Sequence, residues 1–125
     1  MTTARVMIVE DEAITAMATG AMLKRLGHVV AASVASGEAA VEAARRNALD
    51  LVLMDIRLEG AMDGIETARA IRENSDVPVV FVTAYVDAQT RSRAAATGAF
   101  AFLSKPLDEY DLDALLERLQ KGRLS

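Results

Sequence analysis

The sequence predicts an α/β fold: a doubly wound, mostly parallel sheet of five strands wrapped by five helices. Two observations predict it. Short β-rich runs alternate with stretches of helical periodicity along the whole chain. The strand runs are apolar at nearly every position rather than at alternate ones, as strands covered on both faces must be.

Arg5-Val6-Met7-Ile8-Val9 is the first strand, and Glu10-Asp11-Glu12 stops it abruptly. A helix is expected over Ala13–Leu26, with Ile14, Met17, Ala18, Ala21, Met22 and Leu26 on its inward stripe. Gly27 ends it. His28 opens the second strand, Val29–Val34, on the rim away from the strand ends, and reads as structural. Ser36 caps a helix to about Asn47 with Ala40, Val41 and Ala44 inward. Glu42 and Arg46, four apart on that helix, form a surface pair.

Leu49–Met54 is the third strand, ended by Asp55. After a loop, Ile56–Met62, Asp63 and Glu66 have the spacing of a capping box. Asp63 therefore reads as a helix cap rather than a ligand, and Ile65, Ala68 and Ile71 face inward. Pro78 opens the fourth strand, Val79–Val82, which Thr83 ends. Asp87 caps a fourth helix to about Thr97, with Gly98 as its stop. Phe100–Leu103 is the fifth strand. Asp108 caps the last helix, which turns Leu112, Leu115, Leu116 and Leu119 inward. The polar end, Lys121–Ser125, is expected to fray.

A chain of 125 residues fits a single domain, residues 1–125 with a core of about 5–120, and its 52% apolar content suits a packed interior. There is no cysteine, which excludes disulfides, thiolate catalysis and Cys-based zinc sites. No basic-plus-apolar leader and no membrane-length apolar run is present, so a cytoplasmic protein without membrane contact is expected. The net charge of −4 and the lack of a Lys/Arg cluster argue against direct nucleic-acid binding. Arg91 and Arg93 read as a solvated helix face, and the methionines as core filler.

In a parallel α/β sheet the functional crevice lies beyond the carboxyl ends of the strands. Glu10 and Asp11, Asp55, Thr83, and Ser104 with Lys105 all stand at such ends. Strand two ends in Val34-Ala35, as suits an edge strand outside the crevice. Three carboxylates at the ends of adjacent strands repel one another, and a divalent cation relieves the conflict. Mg²⁺ or Mn²⁺ suits this all-oxygen donor set. Asp11 and Asp55 are the expected direct ligands, Glu10 binds directly or through water, and the Arg57 carbonyl can add an oxygen. A carboxylate can also attack phosphorus. Lys105 would then offset phosphoryl charge, and the Thr83 hydroxyl would donate to a phosphoryl oxygen. The bland alternatives are that Asp55 merely ends a strand and that residues 10–12 serve the following helix dipole.

These residues resemble the receiver domains of two-component response regulators. The resemblance runs from Arg5 to about Gln120. It rests on Val9-Glu10-Asp11-Glu12, Met54-Asp55, Met62-Asp63-Gly64, Thr83-Ala84 and Lys105-Pro106, in that order. It implies a flavodoxin-like (βα)5 fold with strand order 2-1-3-4-5, Asp55 as phosphoacceptor and Glu10 and Asp11 as the acidic metal pair. It also implies Thr83 as the hydroxyl that follows the phosphoryl group, Lys105 as the family lysine and Phe102 as the switch aromatic. The Lys105-Pro106 peptide is commonly cis in the family. The implied donor is the phosphohistidine of a sensor histidine kinase or phosphotransfer protein. The implied output is an altered surface on helix four, strand five and helix five, which meets an unknown effector protein or forms a phosphorylation-dependent homodimer. The chain departs from the common pattern in its Glu-Asp pair, in an Asp55-to-Gly64 loop that lacks proline and is one residue longer, and in Phe at the switch position.

Two other functions compete. A binding module with a degenerate site would have lost key residues, and none is lost here. A phosphohydrolase with an aspartyl nucleophile would need a second Asp two residues on, where Arg57 stands, and a cap domain. Neither nucleotide-binding glycine motif occurs. The chain is therefore expected to be a switch rather than an enzyme, with Mg²⁺-dependent self-phosphorylation and slow self-dephosphorylation.

Overall fold

The computed structural model describes residues 3–84 and 87–124, the side chains of 123 and 124 excepted. Strands and helices alternate: β1 (Arg5–Val9), α1 (Ala13–Arg25), β2 (Val29–Val34), α2 (Gly37–Arg46), β3 (Leu51–Met54), α3 (Gly64–Arg72), β4 (Val79–Thr83), α4 (Ala88–Ala95), β5 (Ala101–Ser104) and α5 (Glu109–Leu124). All neighbouring strands pair in parallel, in the order β2-β1-β3-β4-β5. The predicted fold class and strand order are thus the ones observed.

The continuous apolar runs of the central strands have a direct cause. Successive side chains point to opposite faces, and both faces are covered. Met7, Val9, Val52, Met54, Val79 and Phe81 pack under α2, α3 and α4 with Ile65, Ala68 and Ile71. Val6, Ile8, Leu51, Leu53, Val80 and Val82 pack under α1 and α5 with Leu23, Leu112, Leu115, Leu116 and Leu119. Each fully buried aliphatic side chain contributes about 1.5–3 kcal/mol, so these two layers hold the helices to the sheet.

The expected caps form. Ser36 Oγ accepts the Ala39 N–H at 3.2 Å, Asp87 Oδ1 accepts the Thr90 N–H at 2.7 Å, and Asp63 and Glu66 complete the capping box. Asp108 Oδ1 accepts the Tyr110 N–H at 2.7 Å. Gly27 ends α1 with φ +88°. His28 is buried, and its Nδ1 accepts the Ala4 N–H at 3.0 Å, which ties the chain start to β2. The Glu42–Arg46 surface pair is present at 2.9 Å.

The inward face of α1 differs from expectation. Ile14 is 84% exposed and Met17 74%, and Ala18 and Ala21 are exposed too. Thr19, Gly20 and Leu23 are buried instead, with Met22 and Leu26 half-buried. Apolar residues surround this helix, so periodicity alone cannot select a face. Close packing selects it: Gly20 lies against Ile8 and Val30, at the 3.8 Å range of ordinary contact for an added Cβ. Met17 is accordingly no core filler.

Element ends differ by a residue or two. β3 starts at Leu51 rather than Leu49: the Asp50 N–H donates to the Arg5 carbonyl at 2.7 Å, but the Arg5 N–H goes to the Asp50 side chain, Oδ2, at 2.8 Å. α4 stops at Ala95, where the Thr97 hydroxyl donates to the Ala94 carbonyl. β5 lies one residue later than predicted, Ser104 pairing with Thr83. α5 continues to Leu124 through the tail that predicts fraying; Ser125 lies outside the described residues.

Candidate functional site

Strand register assembles the site. Val9 pairs with Met54 across β1 and β3, so the next residues, Glu10 and Asp55, leave the sheet side by side. Main-chain bonds hold both. The Asp55 N–H donates to the Val9 carbonyl, the Glu10 N–H to Val34 and the Lys105 N–H to Thr83, each at 3.0 Å. Glu10, Asp55 and Lys105 are therefore anchored by ladder-like bonds before any side chain interacts.

The side chains then converge. Lys105 Nζ lies 2.5 Å from Glu10 Oε1 and 3.0 Å from Asp55 Oδ2. The three side chains are only 17%, 5% and 8% exposed. Glu10, Asp11 and Asp55 each offer a carboxylate oxygen within 4.8 Å of the others. The Arg57 N–H donates to Asp55 Oδ1 at 3.1 Å, and Asp11 Oδ2 accepts the Glu59 N–H at 3.2 Å. The loop after β3 is thus tied to the acids at both places. Thr83 is buried, and it lines a small pocket of about 220 Å³ with Asp11, Asp55, Arg57 and Lys105. An apolar cleft of about 470 Å³ adjoins the acids, walled by Ile14, Ala18, Met22, Pro106 and Leu107. The Lys105-Pro106 peptide is cis.

The electrostatics follow from crowding. Burial raises the Glu10 carboxyl above its ordinary pKa, and the charge of Asp55 adds to this, against the opposing hydrogen bond from Lys105. Burial alone would lower the Lys105 ammonium, but its hydrogen bonds to Glu10 and Asp55 outweigh that and raise it. Lys105 is therefore held charged, as the local counter-ion of two acids. The three carboxylates form an all-oxygen donor set of the type that Mg²⁺ and Mn²⁺ prefer.

The predicted site residues Glu10, Asp11, Asp55, Arg57, Thr83 and Lys105 all meet here. Phe102 does not. It sits half-buried on the α4 side of the sheet, its ring centre 5.7 Å from that of Phe81. Two features escape sequence reasoning. A Cβ on Gly64 would overlap the Asp55 carbonyl, so this glycine lets α3 start against the end of β3. Ile56 and Leu58 are buried and pin the loop that carries Arg57 and Glu59. A glycine opening a helix inside a capping box was the available signal for the first.

Residues 6–117 match the model of the response regulator receiver domain. The chain belongs to that family. Among curated relatives, the transcriptional regulatory protein ZraR of Escherichia coli is 39% identical over 90% of this chain, which covers 25% of ZraR. The transcriptional regulatory protein PdtaR of Mycobacterium tuberculosis is 36% identical over 90% of this chain, which covers 55% of it. The chain thus spans a quarter to about half the length of these relatives. The signal receiver domain of a modulated diguanylate cyclase from Desulfovibrio desulfuricans superposes with a TM-score of 0.92 at 34% identity, covering 98% of each chain. The receiver domain of a sensor histidine kinase from Pseudomonas aeruginosa, solved with a magnesium ion coordinated in its active-site cleft, gives 0.82 at 30% identity, covering 94% of this chain and 98% of that one.

This is a receiver domain of the two-component type, a signalling switch by family, and its acidic cluster is consistent with a phosphoacceptor site. Receiver domains bind Mg²⁺ in the acidic pocket, and the Glu10, Asp11 and Asp55 cluster fits that use. Among the described residues, no helix is long and apolar enough to cross a membrane.

Proposed function

We propose that Asp55 accepts a phosphoryl group from the phosphohistidine of a sensor histidine kinase or phosphotransfer protein. The observation that carries this reading is the placement of the Asp55 carboxylate. It lies 3.0 Å from a lysine ammonium and within 4.8 Å of two further acids, at the carboxyl end of the sheet.

In the transfer, an Asp55 carboxylate oxygen attacks phosphorus, the phosphorus–nitrogen bond of the donor breaks, and its electron pair stays with the imidazole. Lys105 exchanges its contact with Asp55 for one with a phosphoryl oxygen. The Thr83 hydroxyl donates to another. Asp11, Asp55, the Arg57 carbonyl and Glu10, directly or through water, would hold Mg²⁺ or Mn²⁺, which would supply further charge neutralisation. The same pocket would use a small phosphodonor and would slowly release phosphate to water, which is signal decay rather than metabolic turnover. The exposed Ile14 and Met17, beside an apolar cleft that reaches Asp55, support docking of a protein donor. Such a donor implies a cytoplasmic location.

Phosphorylation draws Thr83 toward the new charge, Phe102 moves into the room left behind, and the α4–β5–α5 surface changes. An effector, or a second copy of the chain, binds one state better, and that difference is the signal. The test is mass spectrometry after incubation with acetyl phosphate and Mg²⁺. One added phosphoryl group on the wild type and none on Asp55→Ala is expected. Equal uptake by the Asp55→Ala variant would refute the assignment.

A further inference from the structure

α4 is loosely seated. Of its eight residues only Ala94 is buried, and Gln89, Arg91, Ser92 and Arg93 lie exposed. A short helix with so little apolar area needs other attachments. Two arginines, which the sequence presents as a solvated face, supply them. Arg93 lies 3.7 Å from Asp63, the N-cap of α3. The guanidinium carbon of Arg91 lies 4.8 Å from the centre of the Phe102 ring. That is within the range of attraction between a cation and an aromatic face. Phe102 also meets Phe81, with ring planes inclined by 31°. Phe81 is fully buried. Phe102 therefore bridges a fixed core aromatic and a cation on a weakly held helix.

We propose that Arg91 is a latch that holds α4 in its resting position through the face of Phe102. The contact itself requires nothing of Asp55; its use as a switch rests on the phosphoacceptor reading. When Phe102 turns toward the space beside Thr83, Arg91 loses its aromatic surface and returns to water. Among the described residues, α4 then keeps the Asp63 ion pair and the small Ala94 anchor. Movement of one ring in the sheet is thereby converted into freedom of a helix on the surface. Arginine suits the task, because its planar guanidinium stacks on rings and stays charged across the physiological range.

The test is amide hydrogen exchange of residues 88–95 in the unmodified protein, comparing wild type, Arg91→Gln, Phe102→Leu and the double variant. A cation–π contact at a partly exposed site corresponds to about a two- to fivefold change in an opening equilibrium. Arg91→Gln should raise exchange by that factor in the wild-type background and leave it unchanged in the Phe102→Leu background. No acceleration in the first, or equal acceleration in both, overturns the latch. Neither measurement involves phosphate, so the latch and the phosphoacceptor reading fail separately. In the phosphorylated protein Arg91→Gln should add nothing, and added acceleration there would break the link between latch and switch.

Discussion

Replacing Lys105 with methionine keeps an unbranched stem out to Cε and removes the cation that lies between Glu10 and Asp55. An exposed ion pair would matter little, but these three side chains are 17%, 5% and 8% exposed. Removing one partner of a buried pair costs about 3–5 kcal/mol. The expected destabilisation is therefore of about that size at neutral pH, measured by urea denaturation in EDTA. The same substitution removes the competitor of a divalent ion. Mg²⁺ should bind the variant more tightly, by roughly tenfold, which is about 1.4 kcal/mol. Saturating Mg²⁺, about 100 times the dissociation constant, stabilises the fold by about 2.7 kcal/mol and should restore most of the loss. A Lys105→Met protein that is as stable as wild type without metal, or that binds Mg²⁺ more weakly, would refute the view of Lys105 as a resident counter-ion.

Three further outcomes are expected. Gly64→Ala places a Cβ against the Asp55 backbone, which cannot swing aside as a side chain can; a loss of at least about 1–3 kcal/mol in urea denaturation is expected, whereas Gly122→Ala, with open space around its Cβ, should be neutral or slightly stabilising. Asp63→Ala removes the α3 cap and the Arg93 partner together, and should cost about 1 kcal/mol on the same assay; no loss would mean that the capping box is dispensable. His28 is buried and its pKa is lowered from 6.5. The unfolded chain therefore binds more protons in that window, so the stability is complete above about pH 6.5 and falls as pH drops toward the lowered folded value. His28→Gln should flatten the stability profile below about pH 6.5, and an unchanged slope would refute the assignment.

The fold was legible because β1, β3 and β4 are apolar at consecutive positions, which only a doubly covered parallel sheet explains. The site was legible for a related reason. A polar residue directly after such a strand has one place to go, the carboxyl rim, so Glu10, Asp55, Thr83 and Lys105 could be located without coordinates. The face of α1 was not legible. Ile14, Met17, Ala18 and Ala21 form as good a stripe as the buried one, and the choice came from how closely Gly20 approaches Ile8 and Val30.

Sequence by itself therefore determined the alternation of elements, the caps and the set of acids and the lysine at one rim, because each is written in a local pattern of polarity. Only the tertiary structure decided that Lys105 rests between Glu10 and Asp55, that Gly64 backs Asp55 and that Arg91 stacks on Phe102. Those are contacts between separate segments of the chain. Their distances depend on how helices settle on the sheet, which no local pattern records.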